Sequence, residues 1–454
     1  MKPETLKNIS AILRGELTEP DAENVYIGGI SVDSRSIKPG ELFFALRAER
    51  DGHLFIPDAY EKGASAAVVE RKIDNPIPQI IVNNTLDALG KLAKNYREAI
   101  NPRVIGITGS VGKTSTRQMI AAVLRSRYRL HSAKKNYNNL IGLPLTILEM
   151  PENTEIAVLE LGINRIGEME KLVEIAEPDI AVITEIANVH TEGLKDMENI
   201  VQEKLKILSK MKQDEPVFIN KDNAMLYEKT EKIHPTMITY GIENPADFRA
   251  REISFEQGKS SFKVDGLKVK LNLLGRAPIY SALSAIAVGE YLGIPPVIIA
   301  ELLESLKPQP HRMELVQIAG VNIIDDSYNS SPIALYEAFK TLDMIYSKRK
   351  LVVIGDMLEL GEYTEKYHRE AGEWIVEFGF DGAIFFGPSM MLAAQTAQNK
   401  GYEKQFLATQ IFDDAMDFLK EKINTGDTIL IKGSHGMEMI RFVQELKKWL
   451  SEQK

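Results

Sequence analysis

Short, nearly unbroken apolar runs punctuate this chain, separated by stretches in which apolar residues fall three and four apart. From residue 103 the runs RVIGIT, EIAVLEL, DIAVIT and EPVFIN alternate with helix-like text, the rhythm of βαβ units and a mainly parallel sheet. Residues 1–100 repeat the alternation on a smaller scale, with ELFFAL, SAAVVE and QIIV as strands and TLDALGKLAKNYREAI as a helix. An Asn101-Pro102 break separates the two units. Inside the second unit, FKVDGLKVKLNL predicts a hairpin around Asp265-Gly266. LKPQPHRMEL (306–315) reads as a hinge or linker. Beyond it VNIIDDS, KLVVIGD, GAIFFG and DTILIKG predict a second doubly wound α/β unit. The expected fold is α/β in three domains, 1–100, 101–311 and 312–454, with no internal repeat.

Composition narrows the function classes. At 454 residues the chain exceeds one ordinary core, and 44% hydrophobic with 26% charged residues is the balance of a globular enzyme. A net charge of −9 without a basic block argues against nucleic acid as a partner. With no cysteine, disulfides, thiolate metal sites and cysteine nucleophiles are excluded, and any metal needs oxygen or imidazole donors. The start, MKPETLKNISAILRG, lacks the pattern of a signal peptide, and no apolar run reaches the roughly 18 residues of a membrane span. The expected location is the cytoplasm, with no stable membrane insertion.

The stretch ITGSVGKTSTRQMI (107–120) carries the first candidate chemistry. It places a Gly-rich turn between the strand RVIGIT and a helix whose apolar positions are Met119, Ile120, Val123 and Leu124. Helix N-termini in that setting bind phosphate oxygens. Thr108, Gly109, Ser110, Val111, Gly112, Lys113, Thr114 and Ser115 are the expected cradle, with Lys113 on the β/γ-phosphates and the Thr114 hydroxyl on Mg²⁺. A plain βα turn with incidental glycines is the bland alternative. A full Walker A pattern would require Gly at 107, where the chain has Ile107.

Open α/β sheets gather ligands at the carboxyl ends of their strands. Glu160 ends EIAVLEL and His190 follows DIAVIT, so both are expected in the crevice of Lys113, where a carboxylate and an imidazole suit Mg²⁺ beside a triphosphate. Lys204 lies within the apolar stripe Ile200, Ile207, Leu208 and Met211. From spacing alone, its ammonium snorkels to water along that stripe.

These residues match a family. ITGSVGKTST, KKNYNNLIGLPLTIL, LELGINRIGEM, NVHTEGL and EKLKIL resemble, in order, the central-domain motifs of the Mur ligases, ATP-dependent amide ligases of peptidoglycan precursor synthesis. IDDSYNSSP, VVIGDMLELGE and LIKGSHGM look like the C-terminal, Rossmann-like domain of the member that adds D-alanyl-D-alanine to a UDP-linked muramoyl tripeptide. VDSRSIKPGELFFAL with RDGHLF resembles that member's N-terminal UDP-binding domain. The likeness spans nearly the whole chain.

The resemblance implies ATP and Mg²⁺ as cofactors, the UDP-linked muramoyl peptide and D-alanyl-D-alanine as substrates, and an acyl phosphate intermediate; the expected state of the chain is a monomer. It implies that Glu160 and His190 bind metal, and that Lys204 is carbamylated so that its anion holds a second ion. Asn138 and Asn139 would lie near substrate and γ-phosphate. Ser281 would contact adenine. Arg312 and Asp326 would reach the nucleotide from the closing C-terminal domain, with Asn329 and Lys432 on the same face. Ser34 and Arg35 would bind the uridine nucleotide. Taken without the family, Asp326 is as well explained as a cap and Lys432 as a solvated charge.

The chain also departs from the family's pattern. Ala277, Pro278 and Ser281 stand where His, Asn and the adenine-contacting Asn are usual, His311 where Gly precedes the hinge arginine, and Ile440 where Glu is common. VHTEGL replaces the more usual Ala-His-Leu-Glu-Gly. A ligase joining a different amine to another carboxylate therefore stands as the alternative, and a P-loop binding module without ligase chemistry as the alternative of another class.

Overall fold

The computed structural model describes residues 2–452 except 48–49, 134–136, 188–193, 195, 235, 257 and 308–309. Three sheets organise the chain. Near the N-terminus a five-stranded sheet runs in the order Glu16–Leu17, Gln79–Ile81, Ala66–Val69, Glu41–Phe44, Gly29–Ser31. All its pairings are parallel except the first.

The central sheet is parallel throughout. Its seven strands run Phe248–Arg249, Met237–Gly241, Val217–Asn220, Ile180–Ile183, Arg103–Thr108, Ile156–Glu160, Leu130–Ser132. The four runs legible in the sequence form its middle, because a strand covered by helices on both faces must be apolar at every position. The strands beyond them are half-buried and carry weaker patterns. A three-stranded antiparallel sheet follows, and Asp265 and Gly266 turn its Lys259–Val264/Leu267–Leu271 hairpin with φ of 48° and 81°, as the Asp-Gly pair predicts.

The third sheet runs Glu314–Ile318, Val321–Asp326, Asp427–Lys432, Arg349–Gly355, Gly382–Phe386, Gln405–Thr409, and only its first strand is antiparallel. The stretch read as a linker therefore ends in an edge strand beginning at Glu314; its residues 308–309 lie outside the described set. Among the described residues, no helix is long and apolar enough to cross a membrane.

The first two sheets share one core. Helix Thr85–Ile100 packs on Gly142–Leu148 and Glu168–Ala176, and a continuous apolar cluster runs from Leu6 and Leu89 to Leu172 and Leu205. The stripe Asp87, Gly90, Lys94 and Arg97 faces Glu168–Ala176. Arg97 pairs with Glu177 and its Nε donates to the Ile175 carbonyl, while Lys171 donates to Asp87. Between the second and third sheets lies instead a cleft of about 1180 Å³.

Candidate active site

Strand Arg103–Thr108 delivers the Gly-rich turn to the floor of this cleft, and helix Lys113–Leu124 starts directly after it. Gly109 sits at φ 146°, and a Cβ there would lie 2.0 Å from Thr184 Oγ1, so no larger residue fits. The Ser110 amide donates to the Glu185 carbonyl (2.6 Å) and Thr184 Oγ1 donates to the Val111 carbonyl (2.7 Å). The neighbouring strand end thus fixes the loop's shape before any ligand arrives. Met119, Ile120, Val123 and Leu124 are buried, anchoring the helix behind it.

Two lysines converge on one carbonyl. Lys113 Nζ donates to Gly109 O (2.7 Å) and Ser110 O (3.2 Å), and Lys204 Nζ donates to Gly109 O from the other side (3.0 Å). Lys204 is 1% exposed, so its amine does not reach water, and the snorkelling expectation fails. Helix Met197–Leu205 carries it, with Ile200, Ile207 and Leu208 buried around it. Burial holds the Lys204 ammonium well below its ordinary pKa, the Lys113 charge lowers it further, and Glu203 opposes both. Burial also lowers Lys113, Glu160 acts against that, and Arg312 adds to the depression.

Glu160, 1% exposed, ends strand Ile156–Glu160 beside the cradle. Its Oε2 accepts from Thr114 Oγ1 (3.2 Å), which brings the two expected metal ligands together. Its Oε1 accepts from Arg117 Nε (2.5 Å), and Arg117 also donates to the Ala133 carbonyl. Sequence reasoning missed Arg117. The available signal was an arginine four residues after Lys113, hence on the same face of the helix. Thr114 and Glu160 are hard oxygen donors of the kind Mg²⁺ prefers. His190, the remaining expected ligand, lies outside the described residues.

The other expected residues divide. Asn138 lines the cleft, with its carbonyl accepting from Gly162 N (2.8 Å) just past Glu160. Asn139 Oδ1 accepts from the amides of Ile141 and Gly142, holding the turn that leads into helix Gly142–Leu148. Ser281 is buried at 3% exposure and accepts from Thr116 Oγ1 (3.1 Å), bracing the helix that carries it against the cradle's helix. Ser34 and Arg35 follow strand Gly29–Ser31 and do not line the cleft. Arg35 pairs bidentately with Asp33, which drives the Asp33 carboxyl down to about 2.

From the opposite wall come Arg312, Asp326, Asn329 and Lys432. Lys432 is buried and donates to Asp326 Oδ2 (2.6 Å) and the Asn329 carbonyl (2.9 Å), so the solvated-charge reading fails for it. Burial raises Asp326 while Lys432 and Arg312 pull it back. The Arg312 guanidinium lies 4.1 Å from the centroid of the Tyr328 ring, so stacking aims it. His311 at φ 64° and Met313 at 51° flank it, and the His311 Nδ1–Asp325 Oδ2 contact (2.8 Å) holds the turn. Glu185 was also missed. Burial pushes its carboxyl up to about 7, Glu337 and Asp222 add to this, and Asn223 and Asn220 donate to it.

Comparison with known proteins decides what this arrangement belongs to. Residues 26–97 match the model described as Mur ligase family, catalytic domain; 107–289 match the Mur ligase middle domain; 311–435 match the Mur ligase, glutamate ligase domain. The UDP-N-acetylmuramoyl-tripeptide–D-alanyl-D-alanine ligase of Bacillus subtilis (strain 168) is 38% identical over 97% of this chain and 98% of its own. The chain belongs to the Mur ligase family. Among Mur ligase structures, MurF from Acinetobacter baumannii superposes with a TM-score of 0.92 at 28% identity over 99% of both chains. The MurF ligase of Thermotoga maritima in complex with ADP gives 0.86 at 27% identity, over 94% of this chain and 98% of that one. The three-domain Mur ligase architecture, with its ATP-dependent, ADP-forming amide chemistry, is thereby shown for this chain.

Proposed function

We propose that this Mur ligase joins D-alanyl-D-alanine to UDP-N-acetylmuramoyl-tripeptide at the expense of ATP, in peptidoglycan precursor synthesis. Full-length likeness to the Bacillus subtilis ligase supports the substrates. The observation that carries the chemistry is the convergence of Lys113 and Lys204 on Gly109 O beside the Thr114–Glu160 pair. Domain limits of 1–100, 101–311 and 312–454 then divide the work into UDP binding at Ser34 and Arg35, carboxylate activation in the cradle, and closure over the nucleotide. Each chain carries a whole cleft, which fits a monomer, and its nucleotide substrates fit a cytoplasmic enzyme.

The chemistry follows from charge. A carboxylate acylates poorly because oxide is a poor leaving group, and phosphorylating it supplies a better one. The peptide carboxylate attacks the γ-phosphorus, ADP departs, and the amine of D-alanyl-D-alanine then displaces phosphate from the acyl phosphate and loses a proton. In the first step two anions must meet, so the protein's part is positioning and charge neutralisation. Lys113 and the helix N-terminus hold the phosphates, Asn138 borders the transfer path, and Arg312 approaches from the far wall. Thr114 and Glu160 would hold Mg²⁺, which supplies charge neutralisation when bound.

Lys204 takes a finer role in this reading. Burial favours its uncharged amine, the form that adds carbon dioxide and releases a proton to become a carbamate. Lys204→Ala should lose activity that added short carboxylates partly restore. Turnover unaffected by the change would reduce Lys204 to a brace for Gly109 O. The test of the whole reading is phosphate release that requires both UDP-muramoyl-tripeptide and D-alanyl-D-alanine; release independent of either substrate would overturn it.

A further inference from the structure

Leu274, Gly275 and Arg276 belong to the central part of the chain yet dock on helix Pro332–Met344 of the C-terminal part. Leu274 is buried in the C-terminal apolar cluster with Ala338 and Leu342. Gly275, at φ 108°, lets the backbone approach so closely that a Cβ there would lie 3.0 Å from Thr341 Oγ1. Arg276 pairs with Glu243 on its own side of the cleft and lies 3.4 Å, Nε to Oε2, from Glu337 on the other. Glu337 and Thr341 are one turn apart, hence on one face of the helix. Arg276 Nε and Glu337 Oε2 are both buried, and among the described residues neither makes a hydrogen bond. Two buried, oppositely charged atoms in ionic contact without a hydrogen bond carry a desolvation cost, so a small approach that aligns them is favourable.

Arg276 also opens helix Arg276–Tyr291, which packs along the cradle's helix Lys113–Leu124 and is tied to it by Ser281 and Thr116. The contact with Glu337 thus connects mechanically to the phosphate cradle through a single packed helix. We propose that Arg276 is a positioning residue for the ligase reaction: its pairing with Glu337 is completed as the C-terminal domain closes on nucleotide, and so registers Arg312 and Lys432 over the cradle. This rests on the nucleotide-dependent ligase reading above. In this chain Ala277 and Pro278 follow Arg276 and offer no polar side chain to bridge the cleft, which leaves that task to the arginine.

The test is a double-mutant cycle of Arg276→Gln and Glu337→Gln in the full chain, read in two ways. Small-angle scattering with a non-hydrolysable ATP analogue and Mg²⁺ reports closure without any acyl acceptor, and steady-state kinetics reports kcat against KM for ATP. Each single variant should compact less on adding nucleotide and lose on the order of tenfold in kcat, and the double variant should be no worse than either single. Arg276→Lys should recover part of the loss. Multiplicative losses in the double variant, or unchanged compaction in either single, would overturn the proposal. Failure of the substrate assay with normal nucleotide-driven compaction would count against the ligase reading alone. Glu337→Gln is nearly isosteric and keeps the cycle readable should Arg276→Gln fold poorly.

Discussion

The central sheet has two neighbours, and it meets them in opposite ways. Toward the N-terminal sheet the boundary is mainly apolar, with ion pairs along one edge: helix Thr85–Ile100 lies in one apolar cluster with Gly142–Leu148 and Glu168–Ala176, and Arg97–Glu177 and Lys171–Asp87 flank it. Toward the C-terminal sheet the boundary is a cleft lined by Lys113, Glu185, Arg276, Arg312, Glu337 and Lys432. Burying apolar area costs nothing to maintain and much to separate, whereas charged walls accept water and ligand readily. Domain interfaces that are large and apolar hold domains in place, and polar ones allow them to move. Packing of this kind favours the first two domains moving as one body and, on the proposed reading, leaves relative motion to the cleft.

That contrast predicts different consequences for substitutions on the two sides. The largest effect belongs to the cleft. Lys113→Ala should lower kcat by about a hundredfold or more while leaving the melting temperature nearly unchanged, as when one group stabilising transition-state charge is removed. A matching fall in melting temperature would show that Lys113 mainly braces Gly109 O.

Next comes the mainly apolar boundary. Ile175→Ala, behind Gly90, should cost about 3 kcal/mol of stability by leaving a cavity. A single urea transition should move as a whole, with turnover per folded molecule retained. Separate transitions for the first two domains would disprove the shared core.

The smallest effect is electrostatic. Burial raises Glu185 above its unfolded value, so the native state binds more protons across that window, and stability falls as pH rises from about 5 toward the raised value of about 7. Glu185→Gln should remove that slope, gaining on the order of 2 kcal/mol over wild type at pH 8 and little at pH 5. Parallel pH profiles for the two proteins would contradict it.

Legibility in the sequence follows the same division. Helix Thr85–Ile100 and the four central strands stand out because each needs an apolar pattern over its own length. Strands Leu130–Ser132, Glu314–Ile318 and Gln405–Thr409 are hard to read, since edge strands are half-buried and tolerate polar residues. The cradle was legible because its parts are contiguous. Arg276 with Glu337 was not, because 61 positions separate them and neither residue type is unusual alone (337 − 276). Lys204 is the intermediate case: its helical stripe was visible, but only the fold shows that its amine meets Gly109 O rather than water.

Helix Thr85–Ile100 sits where the first two sheets meet. On the proposed reading, the uridine end of the substrate is held on the first sheet and its reacting carboxylate beside the cradle on the second. A fused core would keep those two points at a constant separation, so the enzyme would act as a ruler. A muramoyl peptide one residue short would leave its carboxylate out of reach of the γ-phosphate, and one residue too many would overshoot. Chain length would then be selected by distance, with no side chain needed to recognise the residues in between.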